Sequence, residues 1–287
     1  MIQKPMFTPQ TEWLPPETFP DLSRYDEISI DLETKDPQLK TMGSGSVTNR
    51  AKIVGIAVAV EDWSGYYPIA HEGGGNMDEK RVIEWFRTIL NYPSTKIFHN
   101  AMYDVCFIRA AGLKINGRIV DTMIAGSLVD ENRFRYDLGS MGRDYVGKGK
   151  NEAVLKETAD LWGIDAKSEM YKLPAMYVGE YAERDAEMTL ELWQEMKKEI
   201  QHQDIQSIFD LETELFPCLV DMRFLGVRVD IQAATQLKEK LSSEEKECLL
   251  KVKKETGVDT QIWAARSIAQ VFEKLHLPFD RTEKTNS

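Results

Sequence analysis

The run Ile28-Ser29-Ile30-Asp31-Leu32-Glu33 sets two carboxylates two positions apart in an otherwise apolar stretch. In a β-strand the side-chain period of two sends Ile28, Ile30 and Leu32 to one face and Ser29, Asp31 and Glu33 to the other. Thr34-Lys35-Asp36-Pro37 follows with charged and turn-forming residues. Two anions held together in a partly dry place repel each other unless a cation is shared between them. The pair therefore points to a divalent metal, and its remaining ligands must come from elsewhere in the chain.

Two further acidic positions stand out by context. Asp104 lies in His99-Asn100-Ala101-Met102-Tyr103-Asp104, just inside a helix that follows a strand. Asp185 lies in Tyr181-Ala182-Glu183-Arg184-Asp185. Tyr181 and Asp185 are four apart on a long helix, so a phenol and a carboxylate share one face about a turn apart.

The four histidines (His71, His99, His202, His276) and three cysteines (Cys106, Cys218, Cys248) are scattered along the chain. That argues against a zinc site or a disulfide framework and for oxygen ligation, with reduced cysteines in the core. The net charge of −11 does not exclude nucleic acid. An enzyme that gathers carboxylates around metal ions is acidic at its centre, and the ions reverse the local sign. No apolar run reaches the ~18 residues of a membrane span. The first 22 residues carry five prolines and no apolar segment of the secretory type. The expected setting is cytoplasmic.

The elements that must position these residues read as an α/β fold. Residues 1–25 form an extended, proline-punctuated arm. Strands are expected at about 26–33, 52–60 and 63–69, an antiparallel meander, with residues 36–50 a glycine- and serine-rich loop beside the carboxylate pair. Asn76 and Glu79 resemble a capping box opening a helix whose apolar positions are Val82, Ile83, Phe86, Ile89 and Leu90. A strand at 95–99 leads to a helix capped by Asn100 and ended by Gly112; a strand at 115–120 leads to a helix opened by Asp121. Residues 133–173 are helical but broken by glycines, and Arg133, Arg135, Arg143, Lys148, Lys150 and Lys156 give this segment a basic cast. A long helix is expected from Pro174 through Gln201, a second apolar helix from Ile205 to Gly226, and a charged helix over 231–256. Its apolar stripe (Leu237, Leu241, Leu249, Val252) has no second helix to cover it, and is expected to be exposed or paired with another molecule. The order of elements predicts a mixed sheet flanked by helices, divided as an arm (1–25), an α/β domain (26–202) and a smaller helical segment (203–287).

Asp31-x-Glu33, HNAMYD and YAERD together resemble the three motifs of the DEDD superfamily of 3′→5′ exonucleases. Tyr181, four before Asp185, marks the DEDDy subgroup; the DEDDh subgroup has histidine where this chain has Glu180. Residues 121–147 and 161–195 are similar to the proofreading exonuclease domain of bacteriophage family A (polymerase I-like) DNA polymerases. Residues 205–287, notably MRFLGVRVD, look like the beginning of the thumb that follows it. The resemblance implies an RNase H-like fold and a 3′→5′ exodeoxyribonuclease releasing nucleoside monophosphates from single-stranded or frayed DNA 3′ ends. It implies two divalent cations ~3.5–4 Å apart, Mg²⁺ or else Mn²⁺. Asp31 would bridge them, Glu33 and Asp185 would complete the site of the ion that binds the attacking water, and Asp104 would help hold the other. Tyr181, with an ordinary pKa of ~10, would orient that water and not deprotonate it. Asn100 and Tyr103, beside Asp104, and Thr34, beside Glu33, are candidates to touch the terminal nucleotide.

The acidic motifs of the palm and fingers are absent from these 287 residues. The expectation is a fragment or split polymerase without polymerising activity, working in the host cytoplasm with the remaining polymerase domains on the same or a separate chain. Two other readings share the motifs: an RNase D-like enzyme trimming RNA, and a nucleic-acid-binding or polymerase-docking module whose site is idle.

Overall fold

The computed structural model of the chain describes residues 10–280, so residues 1–9 of the expected arm lie outside the described part. A five-stranded sheet has β1 (Glu27–Lys35) at its centre. On one side β1 pairs antiparallel with β2 (Lys52–Val60), which pairs antiparallel with β3 (Trp63–Pro68). On the other it pairs parallel with β4 (Thr95–Phe98), which pairs parallel with β5 (Ile119–Asp121). The expected meander and mixed sheet are both present. The short helix α1 (Leu39–Met42) and a 3₁₀ turn at Ser46–Thr48 occupy the glycine- and serine-rich segment between β1 and β2.

The strand alternation holds residue by residue. Ile28, Ile30 and Leu32 are buried in one core with Val82, Phe86 and Ile89 of α2 (Glu79–Asn91) and Val105 and Ile108 of α3 (Ala101–Ala110). On the opposite face, α7 (Gly179–His202) lies across the sheet. Its Ala182 and Ala186 pack with Ala57 and Ala59 of β2, the cross-strand partners of Asp31 and Ser29. Small residues on both sides let this helix approach closely. Flanking it are α4 (Thr122–Val129), α5 (Leu138–Met141), a π turn at Gly142–Val146, and α6 (Ala153–Trp162).

Several boundaries differ from the sequence reading for local reasons. The α2 cap is Asp78, which accepts the Arg81 N–H, while Asn76 instead bridges the backbone N–H and C=O of His71. Asn100 sits at the N-cap position of α3 in a left-handed conformation (φ 63°) without capping it. Asp121, arriving at the end of β5, accepts the N–H groups of Asn100 and Ala101 in its place. Pro174 precedes only a 3₁₀ turn, and α7 starts five residues later. Of the cysteines expected in the core, Cys106 is buried, whereas Cys218 and Cys248 are exposed.

Residues 10–25 carry no helix or strand, but they are packed onto the domain. Leu22 is buried, Tyr67 and Trp85 donate to the carbonyls of Thr18 and Pro20, and Trp13 seats on Gly179 and tilts against Tyr66. A Cβ on Gly179 would fall 2.0 Å from the Trp13 ring. Gly179→Ala is therefore expected to destabilise by about 1–3 kcal/mol through overpacking. Thermal unfolding would report this as a lower Tm, together with faster proteolysis within residues 10–20; an unchanged Tm would mean the arm is not held by this contact.

The expected change of domain at 203 falls in the turn between α7 and α8 (Gln206–Leu225); α8 belongs by its contacts to the first compact unit, buries Phe209, Phe216 and Val220, and ends where the second unit begins at Gly226. That second unit holds α9 (Ile231–Thr256), capped by Asp230, and α10 (Ala265–Lys274), which packs against it. The charged helix thus has a companion, contrary to expectation, yet Leu237 and Leu241 remain exposed.

Candidate active site

Three elements deliver the four carboxylates. Asp31 and Glu33 come from β1, Asp104 from the first turn of α3, and Asp185 from the second turn of α7. The β1–β4 ladder ends at Ser29–Ile97, so β1 runs on without a neighbour on that side. Asp104 fills the gap, its Oδ1 accepting the Leu32 N–H at 3.0 Å. One hydrogen bond therefore fixes α3 beside both strand carboxylates. On the other ladder the register slips between Glu33 and Thr34, a bulge that bends β1 immediately after the pair.

Glu33, Asp104 and Asp185 are buried and Asp31 is half-buried. Burial, then the nearby Asp185 charge, pushes Asp31 up to about 7 against an opposing pull from Lys150. Burial with Asp31 and Asp185 close by raises Glu33 well above the ordinary carboxylate range. Burial and Asp31 do the same for Asp104, and burial raises Asp185 against the counter-charge of Lys150. These shifts couple Asp31 and Glu33 to each other and to both Asp104 and Asp185.

Tyr181 lies one turn before Asp185, as the spacing predicts, and is buried. Burial, then the charges of Asp185, Glu33 and Asp31, raises its phenol well above the ordinary value. Tyr103 and Thr34 are brought together, their hydroxyls 2.7 Å apart, with the Tyr103 ring packed on Phe107. Asn100 is exposed at the start of α3. His99 bonds Thr122 Oγ1 at 2.8 Å and serves the fold.

The segment 133–156 is not a free basic face. Arg133 pairs with Asp144, Arg135 with Asp137, Lys148 with Glu191 and Lys156 with Glu152, while Arg143 reaches Ser140. Lys150 is the exception in kind: its Nζ enters the carboxylate site, 2.5 Å from Asp185 Oδ2 and 3.4 Å from the Tyr181 hydroxyl. In the sequence Lys150 is one of six cations of a basic segment, and nothing there assigns it to the site. The only signal was its place in Gly147-Lys148-Gly149-Lys150, a loop in which a lysine is free to swing.

A family profile described as 3′-5′ exonuclease matches residues 6–201. The chain belongs to this exonuclease family. The exonuclease is 31% identical over 294 aligned positions to a DNA-directed DNA polymerase of Pseudomonas phage M6, covering 99% of this chain and 44% of that protein. It is 26% identical to the DNA polymerase DpoZ of Acinetobacter phage SH-Ab 15497, covering 88% of this chain and 39% of the relative. The exonuclease thus spans less than half the length of these curated relatives. Its fold is shared by the POL domain of Pol1 from M. smegmatis in complex with DNA primer-template and dNTP (TM-score 0.58, 15% identity, 91% of this chain and 40% of that one). It is also shared by Brucella melitensis NrnC with bound Mg²⁺ (TM-score 0.51, 17% identity, 74% and 92%). The RNase H-like exonuclease fold expected from the motifs is the fold observed. No described helix is long and apolar enough to cross a membrane.

The family depends on divalent metal, and the residues of the exonuclease fit one. The donors are carboxylate oxygens, as hard cations require. They oppose one another's ionisation, and Asp185 Oδ1 is buried without a hydrogen-bond partner. Among the described residues, no three acidic, histidine or cysteine side chains yet stand gathered as a metal ligand set.

Proposed function

We propose that this exonuclease domain hydrolyses the terminal phosphodiester of single-stranded or frayed DNA from the 3′ end, releasing nucleoside monophosphates. The observation that carries the reading is that Asp104 and Asp185, from two helices, both lie within electrostatic reach of the strand pair Asp31 and Glu33, beside the Tyr181 phenol. Asp31, Glu33, Asp104 and Asp185 would hold two divalent cations, Mg²⁺ by the chemistry of the donors. Such ions supply acidification of the attacking water and neutralisation of charge at the phosphate.

The protein's own groups do the rest. Asp104 keeps α3 against β1 through the Leu32 N–H, so that the carboxylates of both elements stay in register. Tyr181, raised above the ordinary phenol value, stays protonated at neutral pH. It therefore orients the water as a hydrogen-bonding group and does not take its proton. Tyr181→Phe is expected to slow cleavage about 10- to 100-fold with little change in stability, the scale seen when a group that orients a metal site is lost. Single-turnover kinetics would show it; an undiminished rate would remove the phenol from the reaction. Asn100 and the Tyr103–Thr34 pair stand where they could meet the terminal nucleotide, with the ring available to pack on a sugar or base.

The phage polymerase relatives support DNA as the substrate and polymerase domains as the partners of this unit. The test is gel-resolved digestion of a 5′-labelled single-stranded DNA with Mg²⁺. A ladder shortening from the 3′ end and abolished by EDTA is the expected result. Intact DNA in every lane, with folded protein bound to it, would leave a binding module as the better description.

A further inference from the structure

A lysine buried beside three carboxylates is an uncommon use of charge, because taking an ammonium out of water costs free energy that only close anions return. The Lys150 side chain is 17% exposed and that of its partner Asp185 is 5% exposed. The ammonium takes Asp185 Oδ2, approaches the Tyr181 hydroxyl and ring, and is acted on by the charges of Asp31 and Glu33. These are the groups that the proposed function assigns to the metal and the water. The other oxygen of Asp185 is buried and unpartnered, and among the described residues no three acids are drawn together as a ligand set.

Lys150 arrives on a strap, residues 147–152, that has no helix or strand and joins the π turn to α6. Two glycines, Gly147 (φ 74°) and Gly149, stand in open space on its approach. The strap is pinned to α7 at three heights: Lys148 to Glu191, Lys150 to Asp185, and Asn151 to Glu180. The outer two contacts are surface bonds of modest worth, so the buried central pair is the one that closes the site.

We propose that Lys150 is the resident counter-cation of the carboxylate cluster, and that a divalent cation is admitted only as the Lys150 ammonium withdraws from Asp185 with its glycine-hinged strap. The same four acids would then alternate between one internal monovalent charge and external divalent ones. Metal affinity would be set in part by this competition, and the empty site would be spared the full repulsion of its acids. The inference rests on the functional reading above, and its test is chosen to separate the two.

Binding of Mn²⁺ alone, followed by electron paramagnetic resonance, is compared for the wild type and Lys150→Met. Loss of one neighbouring positive charge is expected to tighten Mn²⁺ binding at least about tenfold. In the wild type, acetylation of Lys150 by acetic anhydride, read by mass spectrometry, is expected to be slow in EDTA and to accelerate on adding Mg²⁺. The acetylation arm needs no variant, so it stands even where Lys150→Met fails to fold; Lys150→Gln is the second variant. Equal Mn²⁺ affinity in both proteins, with Lys150 still protected when metal is bound, would overturn the inference and leave the nuclease reading intact. Absence of Mn²⁺ binding to either protein would overturn both. Withdrawal of Lys150 on metal binding without any cleavage of DNA would support the inference and overturn only the nuclease reading.

Discussion

Asp31→Ala removes 3′-end cleavage of single-stranded DNA by at least about 10³-fold, the scale lost when a group that stabilises transition-state charge is deleted. Asp31 is the acid whose charge acts on both Glu33 and Asp104, and its own carboxyl responds to Asp185. Its removal should nevertheless leave the fold intact. The β1 ladder is backbone to backbone, and deleting one of four crowded acids relieves repulsion, so the metal-free Tm is expected to equal or exceed that of the wild type. Asp104→Ala makes the contrast, because it strips the Leu32 N–H of its acceptor. A buried donor left unpaired costs about 1–3 kcal/mol. That variant should lose stability as well as cleavage. Quantitative gel kinetics with parallel thermal melts separates the two. A folded Asp31→Ala protein that still generates the wild-type ladder would put the chemistry somewhere else.

The second large effect is on the protein without metal: its Tm falls as pH rises from 6.5 to 8.5, and Mg²⁺ restores it. Asp31 titrates near 7 in the folded protein against 3.8 for an ordinary aspartate, and Glu33, Asp104 and Asp185 are raised in the same sense. A carboxyl group raised on folding keeps a proton that the unfolded chain has released. Its contribution is therefore complete below the unfolded pKa and is lost as pH climbs through the folded one. Across this window Asp31 alone gives up about 1 kcal/mol, and any carboxyl still protonated at the top gives up about 2.7 kcal/mol. At about 2–4 °C per kcal/mol the combined fall is on the order of 5 °C or more. His71 and His99, both held near 4 by burial, carry the opposite sign, but theirs is spent below the ordinary histidine value of 6.5; Lys96, lowered by burial to about 8, also carries the opposite sign and returns about 1 kcal/mol within the window, less than the raised carboxyls together give up. Asp137, held near 2, acts only in acid. Divalent cations bind the ionised acids, so metal should flatten the profile. Melting in EDTA and in Mg²⁺ at each pH is the measurement, and a Tm independent of pH in EDTA would mean that the acids are not crowded in solution.

Much of this was legible in the sequence because it depends on short-range periodicity. Alternation in Ile28–Glu33 put both carboxylates on one face, and the burial of Ile28, Ile30 and Leu32 on the other follows from the same pleat. The four-residue interval from Tyr181 to Asp185 fixed their shared face of α7 before any contact was known. The motif order was sufficient to anticipate an α/β exonuclease fold.

What depended on long-range partners was not legible. Capping of α3 looked local to Asn100 but is performed by Asp121, 21 residues on, because β5 runs parallel to β4 and ends beside that helix. The proline-rich arm looked unstructured by composition, yet Trp13 docks on Gly179, more than 160 residues away. The clearest case is Lys150. By sequence it is one cation among several in a glycine-rich stretch, with no periodicity to assign it a face. Only the folded chain brings its loop over α7, where Asp185 and the β1 acids Asp31 and Glu33 gather negative charge that the ammonium meets. Local geometry is written in residue order, whereas a charge that answers to acids on a strand and a distant helix is settled only when the two meet.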